Sequence, residues 1–376
     1  MHLSAEGHMP IIAYMGIPYD KTTEENFKIF SECGFNVSLY IYPSLEQMKK
    51  ACYIADKYGI KILGHCNETH NNPEKAAAIM RDVPGFFGYV LQDEPSADEI
   101  KKRQYEIELL KKADNTHYFY LNLHPYYTDW ILKYTKTKTY QEYLEAASVT
   151  SCQQISFDYY PITKKGIRDG WYNNIEMVRQ QSLKIHKPFW GFVLSVPHAD
   201  YPQPTIESLR LQVYSNLAYG AQAIQYFTYW TPPAERINDY HNGPIDQNGN
   251  KTKTYYLVQQ MNQELKVIAK LFYGAKVLSV HHLGGELPKG TTRLTRMPIN
   301  LSSLKVVSSK GAIISQLEKN GHRYLAIVNK NHEDTIKVLI KPLNDTPRHL
   351  TKVLKEEPMK DCYSISAGDI LLFRLK

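Results

Sequence analysis

No apolar run in this 376-residue chain approaches the roughly 20 residues needed to cross a bilayer, which excludes a spanning helix. The start, Met1-His2-Leu3-Ser4-Ala5-Glu6, has neither a basic n-region nor an apolar h-region, so no secretory signal is visible. Cysteine is scarce: Cys33, Cys52, Cys66, Cys152 and Cys362 form no CxxC pair, and five cannot all pair internally. They are expected to be free and mostly buried. Basic blocks interleaved with aromatics are also missing. The net charge of +7 is spread over short lysine pairs at 49–50, 101–102, 111–112 and 164–165, which argues against a nucleic-acid groove. Tyr14-Met15-Gly16-Ile17-Pro18 is no dinucleotide fingerprint, and no other Gly-rich phosphate cradle occurs. Neither HxH nor HExxH is present. A metal-dependent hydrolase would therefore need the fold to gather His65, His124 and His198, and it is kept only as an alternative. No cofactor is expected.

What the chain does have is aromatic side chains, with 29 Tyr and 4 Trp, many of them following strand-like runs. Flat apolar faces with a polar edge suit both interfaces and sugar rings. Hydrophobic content of 43% and charge of 22% are ordinary for a globular protein long enough for two domains.

From about residue 10 to 272, strand patterns alternate with amphipathic helical ones. The strands are expected at 11–15, 36–41, 61–65, 86–91, 117–123, 154–159, 189–194 and 223–229. Helices are expected at 22–33, 45–58, 73–81, 97–113, 139–147, 173–186, 205–219 and 254–272, with Ser44 and Ser96 as N-caps and Gly34, Gly59 and Gly220 at C-caps. Eight of each over about 260 residues is the count and length of a (β/α)8 TIM barrel. After Phe272 the pattern shifts to short β runs at 276–282, 311–318, 323–329, 335–340 and 369–375, predicting a C-terminal antiparallel β-sandwich over 273–376.

In a barrel the reactive face is built from residues that follow each strand. The fourth strand ends in Gln92-Asp93-Glu94-Pro95, an apolar run stopped by two carboxylates and a proline. Helix capping accounts for Ser96 and Asp98 but not for both preceding acids. Other strand ends contribute Tyr14, Tyr40, Tyr42, His65, Asn67, Asn122, His124, Asp158, Tyr159, Tyr160, Ser195, His198, Tyr229 and Trp230. Such a polar, acidic and aromatic set suits a neutral polyhydroxylated ligand. Cleaving a glycosidic bond takes a protonated carboxyl for the leaving oxygen and a second carboxylate as nucleophile or base. Glu94 is the candidate acid, since the Asp93 charge beside it would favour its protonated form. Asp158, in Phe157-Asp158-Tyr159-Tyr160-Pro161, is the candidate second carboxylate. Asp93, Gln92, His65, Asn67, His124, Tyr159, Tyr160, His198, Tyr229 and Trp230 are candidates for holding a carbohydrate substrate. Glu68 and Glu235 read as solvated loop acids.

These residues resemble the β-galactosidase-like (family 42-like) clan of (β/α)8 glycoside hydrolases, including secreted hydrolases of gut Bacteroidetes. The resemblance rests on Gly88–Ser96, on Thr205–Tyr229 running into Trp230, and on the C-terminal Tyr324–Asn329 and Ala367–Ile370. It implies a glycosidase in a periplasmic or secreted setting. It also implies an acid/base glutamate at the end of strand four, matched by Glu94, although Asp93 stands where the clan has asparagine. The clan's nucleophile is a glutamate at the end of strand seven. Here that end reads Leu194-Ser195-Val196-Pro197, with Asp200 the nearest acid beyond it. Three outcomes are left open: Asp158 supplies the second carboxylate, Asp200 swings in, or the barrel binds carbohydrate without hydrolysing it.

Overall fold

The computed structural model describes residues 7–376. The start at Met1–Glu6, read above for a signal, lies outside the described residues. Eight parallel strands close into a barrel: β1 Ile11–Tyr14, β2 Val37–Ile41, β3 Lys61–His65, β4 Phe86–Asp93, β5 Tyr118–Leu123, β6 Ile155–Phe157, β7 Phe189–Leu194 and β8 Ala223–Phe227. Their order around the barrel follows the chain, with β8 pairing back onto β1. Helices α1 Glu24–Glu32, α2 Leu45–Asp56, α3 Asn67–Asn71, α4 Pro73–Met80, α5 Ala97–Lys111, α6 Trp130–Thr135, α7 Tyr140–Ser148, α8 Trp171–Ile185, α9 Ile206–Tyr219 and α10 Lys253–Phe272 occupy the connections.

Local chemistry fixes these boundaries. Ser96 accepts from the Glu99 amide while the Glu99 carboxylate takes the Ser96 N–H at 2.7 Å, a capping box that starts α5. Gly220 ends α9 at φ +106°, a left-handed conformation that a side chain would resist. The sequence pattern missed α3, α6 and a two-stranded hairpin, Ile162–Thr163 with Gly166–Ile167. All three are too short to show periodicity. The sixth and eighth strands stop earlier than expected, at Phe157 and Phe227, so Asp158 and Tyr229 follow them, with their N–H groups donating to the Leu123 and Tyr14 carbonyls at 3.4 and 3.3 Å.

The barrel interior is a packed core. Ile12, Val37, Leu39, Leu63, Val90, Tyr118, Tyr120, Trp190 and Ala223 fill it. Trp190 packs against Tyr118 and Tyr120 with ring centroids 5.6 and 6.1 Å away.

Beyond α10 come β9 Lys276–Leu283, β10 Leu301–Val307, β11 Ala312–Lys319, β12 His322–Asn329, β13 Ile336–Pro342, β14 Arg348–Leu350, β15 Glu356–Glu357, β16 Cys362–Ile365 and β17 Ile370–Arg374. They form a six-stranded sheet, β9-β11-β12-β17-β14-β15, facing a three-stranded one, β10-β13-β16. Four of these strands went unrecognised in the sequence. In β10 a register irregularity between Leu301 and Ser303 breaks the alternation that would have betrayed it.

Alternation explains how the large sheet serves two cores. Ile313, Leu317, Ala326, Val328, Ile370 and Leu372 join the barrel's helical layer. Their neighbours Ala312, Ile314, Leu325, Ile327, Leu371 and Phe373 face the small sheet.

Polar ties reinforce this junction. Glu264 on α10 binds Arg210 on α9, accepts the Tyr214 hydroxyl at 2.7 Å and pairs with Lys352 at 3.4 Å. Burial alone would raise the Glu264 pKa, but its Arg210 and Tyr214 hydrogen bonds and the Lys352 charge outweigh it and hold the carboxyl at about 2. Glu264→Ala strands a largely buried guanidinium and is expected to cost about 3 kcal/mol, read as a lower urea midpoint.

His282 on β9 is buried, with its Nε2 2.8 Å from the Tyr219 hydroxyl. Burial, then Lys330 and His281, push its pKa down to about 3. The folded value lies below the unfolded one, so its contribution is present above about pH 6.5 and lost as pH falls towards 3. The melting temperature should therefore drop along that limb, and His282→Gln should flatten the drop.

Candidate active site

β4 delivers two consecutive acids to one place, which a regular strand cannot do because successive side chains point to opposite faces. Two local departures make it possible. The pairing of β4 with β5 shifts register between Val90 and Gln92, bringing Asp93 opposite Asn122. Glu94 then adopts φ +46°, a left-handed conformation unusual for a non-glycine residue. Its N–H donates to the Asn122 carbonyl at 2.8 Å, which ties the distorted end to β5. Asp93 and Glu94 thus line the same cavity.

Asn122 is the hub of the carboxylate cluster. Its Nδ2 donates to Asp93 at 3.0 Å and to Asp158 at 2.9 Å, so the two carboxylates meet across one amide nitrogen. Its Oδ1 accepts from Ser156 at 2.9 Å, and Gln225 donates to Ser156 at 2.8 Å. The Tyr120 hydroxyl donates to Gln225 at 2.8 Å, closing a polar layer over the apolar barrel core. Tyr14 donates to the other Asp93 oxygen at 2.9 Å. Glu94 has a different partner: Nδ1 of the buried His124 lies 3.0 Å from its Oε1.

The three acids are not equivalent. Burial, then the charges of Glu94 and Asp93, push the Asp158 pKa well above the ordinary carboxylate range. Asp93 moves the same way, from burial and the Glu94 charge, opposed by Asn122 and Tyr14. The upward push is stronger on Asp158 than on Asp93, because Asp158 is the more enclosed of that pair.

The cavity, roughly 560 Å³, falls in the size range of small-ligand sites. Its walls are Tyr14, Tyr19, Tyr40, Tyr127, Tyr160, Phe192, Tyr201, Phe227 and Tyr240, with Asp93, Glu94, Asn122 and Asp158 at its reactive end and His198 and Glu235 also on its lining. No lysine or arginine lines it among the described residues. Tyr19, Tyr127, Tyr201 and Tyr240 come from loops, where the chain offers no period to mark them. Glu235, read as a solvated acid, is exposed but reaches this cavity.

Of the remaining candidates, Tyr160 and His198 line the cavity and His124 supports Glu94 from behind. Others lie elsewhere. Gln92 turns outward and accepts from Arg103 on α5 at 2.8 Å, because the register shift puts Asp93 inward instead. His65 packs on His70, and its Nδ1 lies 3.1 Å from the Thr69 hydroxyl. Burial, then His70, lowers its pKa to about 4. Asn67 opens α3 and is exposed. Tyr159 is buried behind Tyr127, with ring centroids 4.6 Å apart. Tyr229 sits in the outer core against Phe30 and Phe35. Trp230 borders a smaller adjoining cleft of about 210 Å³ that shares Met15, Tyr40 and Pro232 with the main one. The three histidines do not converge, and no group of His, Cys, Asp or Glu among the described residues is placed to hold a metal.

At the end of β7, the Ser195 hydroxyl is buried and donates to the Thr228 carbonyl at 2.7 Å. Asp200 does not line the cavity, and its backbone carbonyl accepts from the Lys164 N–H at 2.8 Å.

The closed parallel barrel with an appended β-sandwich is a fold that this chain shares with solved glycoside hydrolases. Residues 101–268 match the family model of the family-42 glycoside hydrolases, described as β-galactosidase. Over that stretch the chain is similar to the family-42 β-galactosidases.

Solved structures share the fold at low identity. A β-galactosidase from Bacillus circulans sp. alkalophilus is 9% identical over 100% of both chains, with a TM-score of 0.66. The catalytic mutant of Gan42B, a family-42 β-galactosidase from G. stearothermophilus, is 8% identical over 100% of this chain and 99% of its own, at 0.61. A family-5 glycoside hydrolase from Bacteroides vulgatus is 10% identical over 100% of this chain and 93% of its own, at 0.60. No curated protein matches the chain. No helix among the described residues is long and apolar enough to cross a membrane.

Proposed function

We propose that the protein cleaves a glycosidic bond of a carbohydrate, with Glu94 as general acid and Asp158 as the second carboxylate. The observation that carries this reading is the single cavity lined by Asp93, Glu94, Asn122 and Asp158 and walled by aromatic rings. Glu94, with a side chain 35% exposed and steadied by His124, is free to meet a leaving oxygen. Asp158, fixed by Asn122 beneath it, is suited to act on the anomeric carbon or on a water beside it. Asp93 and Asn122 supply hydrogen bonds for sugar hydroxyls. The setting implied by the resemblance, periplasmic or secreted, belongs to the same reading.

One observation favours exchanged roles. The raised proton affinity of Asp158 would let it enter the reaction protonated, leaving Glu94 as the carboxylate. Incubation with a panel of 4-nitrophenyl glycosides and oligosaccharides should give turnover that Glu94→Gln removes on the unactivated ones. Turnover unchanged by Glu94→Gln would sink the acid assignment. Glycan binding with no turnover would instead mark a barrel that kept recognition after losing the strand-seven carboxylate. Proton NMR of the first-formed anomer then reads retention or inversion.

A further inference from the structure

The loop after β5 carries a feature that the cavity does not use. Helix α6 has two faces at i,i+4 spacing. Ile131 and Thr135 are buried, and the Thr135 hydroxyl donates back to the Ile131 carbonyl at 3.0 Å. On the outer side, Trp130 is 57% exposed and Tyr134 is 53% exposed. The other three tryptophans, Trp171, Trp190 and Trp230, are all buried. Isolated exposed aromatics are common on protein surfaces, but two on one helical face form a patch.

The segment is tethered rather than loose. Tyr126 donates to Asp129 at 2.6 Å and stacks on Tyr140, while Lys136 pairs with Asp98 at the start of α5. The patch is linked to the site through one buried ring. The Tyr134 ring meets the His124 ring edge-on, with centroids 4.6 Å apart, and His124 holds Glu94. Tyr127, on the same loop, lines the cavity wall.

We propose that Trp130 and Tyr134 form an outer platform that stacks sugar rings of the substrate on the leaving-group side of the cavity. The inference rests on Glu94 being the acid. A donor to the leaving oxygen stands beside the departing part of the glycan, and that part is carried outward past Tyr134 to Trp130. Indole and phenol faces suit the apolar faces of pyranose rings, and no charge on the substrate is required. The substrate class that follows is an oligosaccharide or polysaccharide extending at least one or two units beyond the cleaved bond.

Native affinity electrophoresis of Glu94→Gln in gels containing galactan, mannan, xylan or mixed-linkage glucan tests this without a known substrate. At least one glycan should retard the protein. Adding Trp130→Ala or Tyr134→Ala should weaken that retardation about tenfold, the worth of one aromatic stacking contact. Oligosaccharides of the retarding glycan should also perturb tryptophan fluorescence, and Trp130→Phe should remove that signal. Because Trp130 is exposed, its replacement should leave the circular dichroism spectrum unchanged. No retardation by any of the four glycans overturns the proposal, as does retardation indifferent to both alanine substitutions. Turnover that survives Glu94→Gln alongside Trp130-dependent retardation would overturn the acid assignment and with it the leaving-group side, leaving only sugar stacking on Trp130.

Discussion

Glu94→Gln is expected to lower kcat/KM on alkyl glycosides and oligosaccharides by roughly 10²–10⁴-fold, the worth of a positioned general acid. On dinitrophenyl glycosides, whose leaving group departs without a proton, the loss should be far smaller. Asp158→Asn should behave differently, with a loss on the order of 10³-fold or more for every leaving group, because attack on the anomeric carbon is needed in each case. The exchanged assignment predicts the opposite pattern, so the leaving-group dependence of the two variants decides which carboxyl carries the proton.

The pH profile gives a further check on the same cluster. Asp158 is held above the usual carboxylate range by burial and by its two acidic neighbours. If it acts as base or nucleophile, it becomes competent only as pH rises through that raised value. The acid limb of kcat/KM should therefore lie higher than for an exposed aspartate. Asp93→Asn removes one of the like charges and should move that limb down.

The second large effect is structural and lies at the root of the same strand. Gly88→Ala is expected to destabilise the protein by about 3 kcal/mol, near the top of the usual overpacking range. A Cβ at Gly88 would sit 2.3 Å from the Tyr118 carbonyl oxygen and 2.8 Å from its Cβ. Those atoms belong to the β4–β5 ladder and cannot rotate away. Relief would require moving β4 off β5, which also disturbs the Asp93–Asn122 register that shapes the site. Urea unfolding should show a lower midpoint. An unchanged midpoint would mean that the ladder yields more easily than its packing implies.

Much of the architecture was legible because burial imposes a period on the chain. The strands at 189–194 and 61–65 and the helices α4 and α9 carry uninterrupted patterns, and the caps at Ser96 and Gly220 are local chemistry. Asp93, Glu94 and Asp158 were legible as acids that end apolar strands. Gln92, read as following a strand that ends at 91, lies within β4 and meets Arg103 instead, because the register shift that turns Asp93 inward is announced by no local residue. Tyr229 packs in the outer core because β8 ends at Phe227, while Trp230 borders the adjoining cleft. The walls formed by Tyr19, Tyr127, Tyr201 and Tyr240 come from loops, which carry no period at all.

By itself the sequence determined the alternation that makes a barrel, the acid-rich end of strand four and the lack of a carboxylate on strand seven. Each follows from residue type and spacing along the chain. Tertiary structure alone decided that the left-handed turn at Glu94 sets two consecutive acids in one cavity, that Asn122 joins Asp93 to Asp158, and that His124 backs Glu94. The last two relations join residues about 30 or more positions apart, and only closure of the barrel brings them within hydrogen-bond distance.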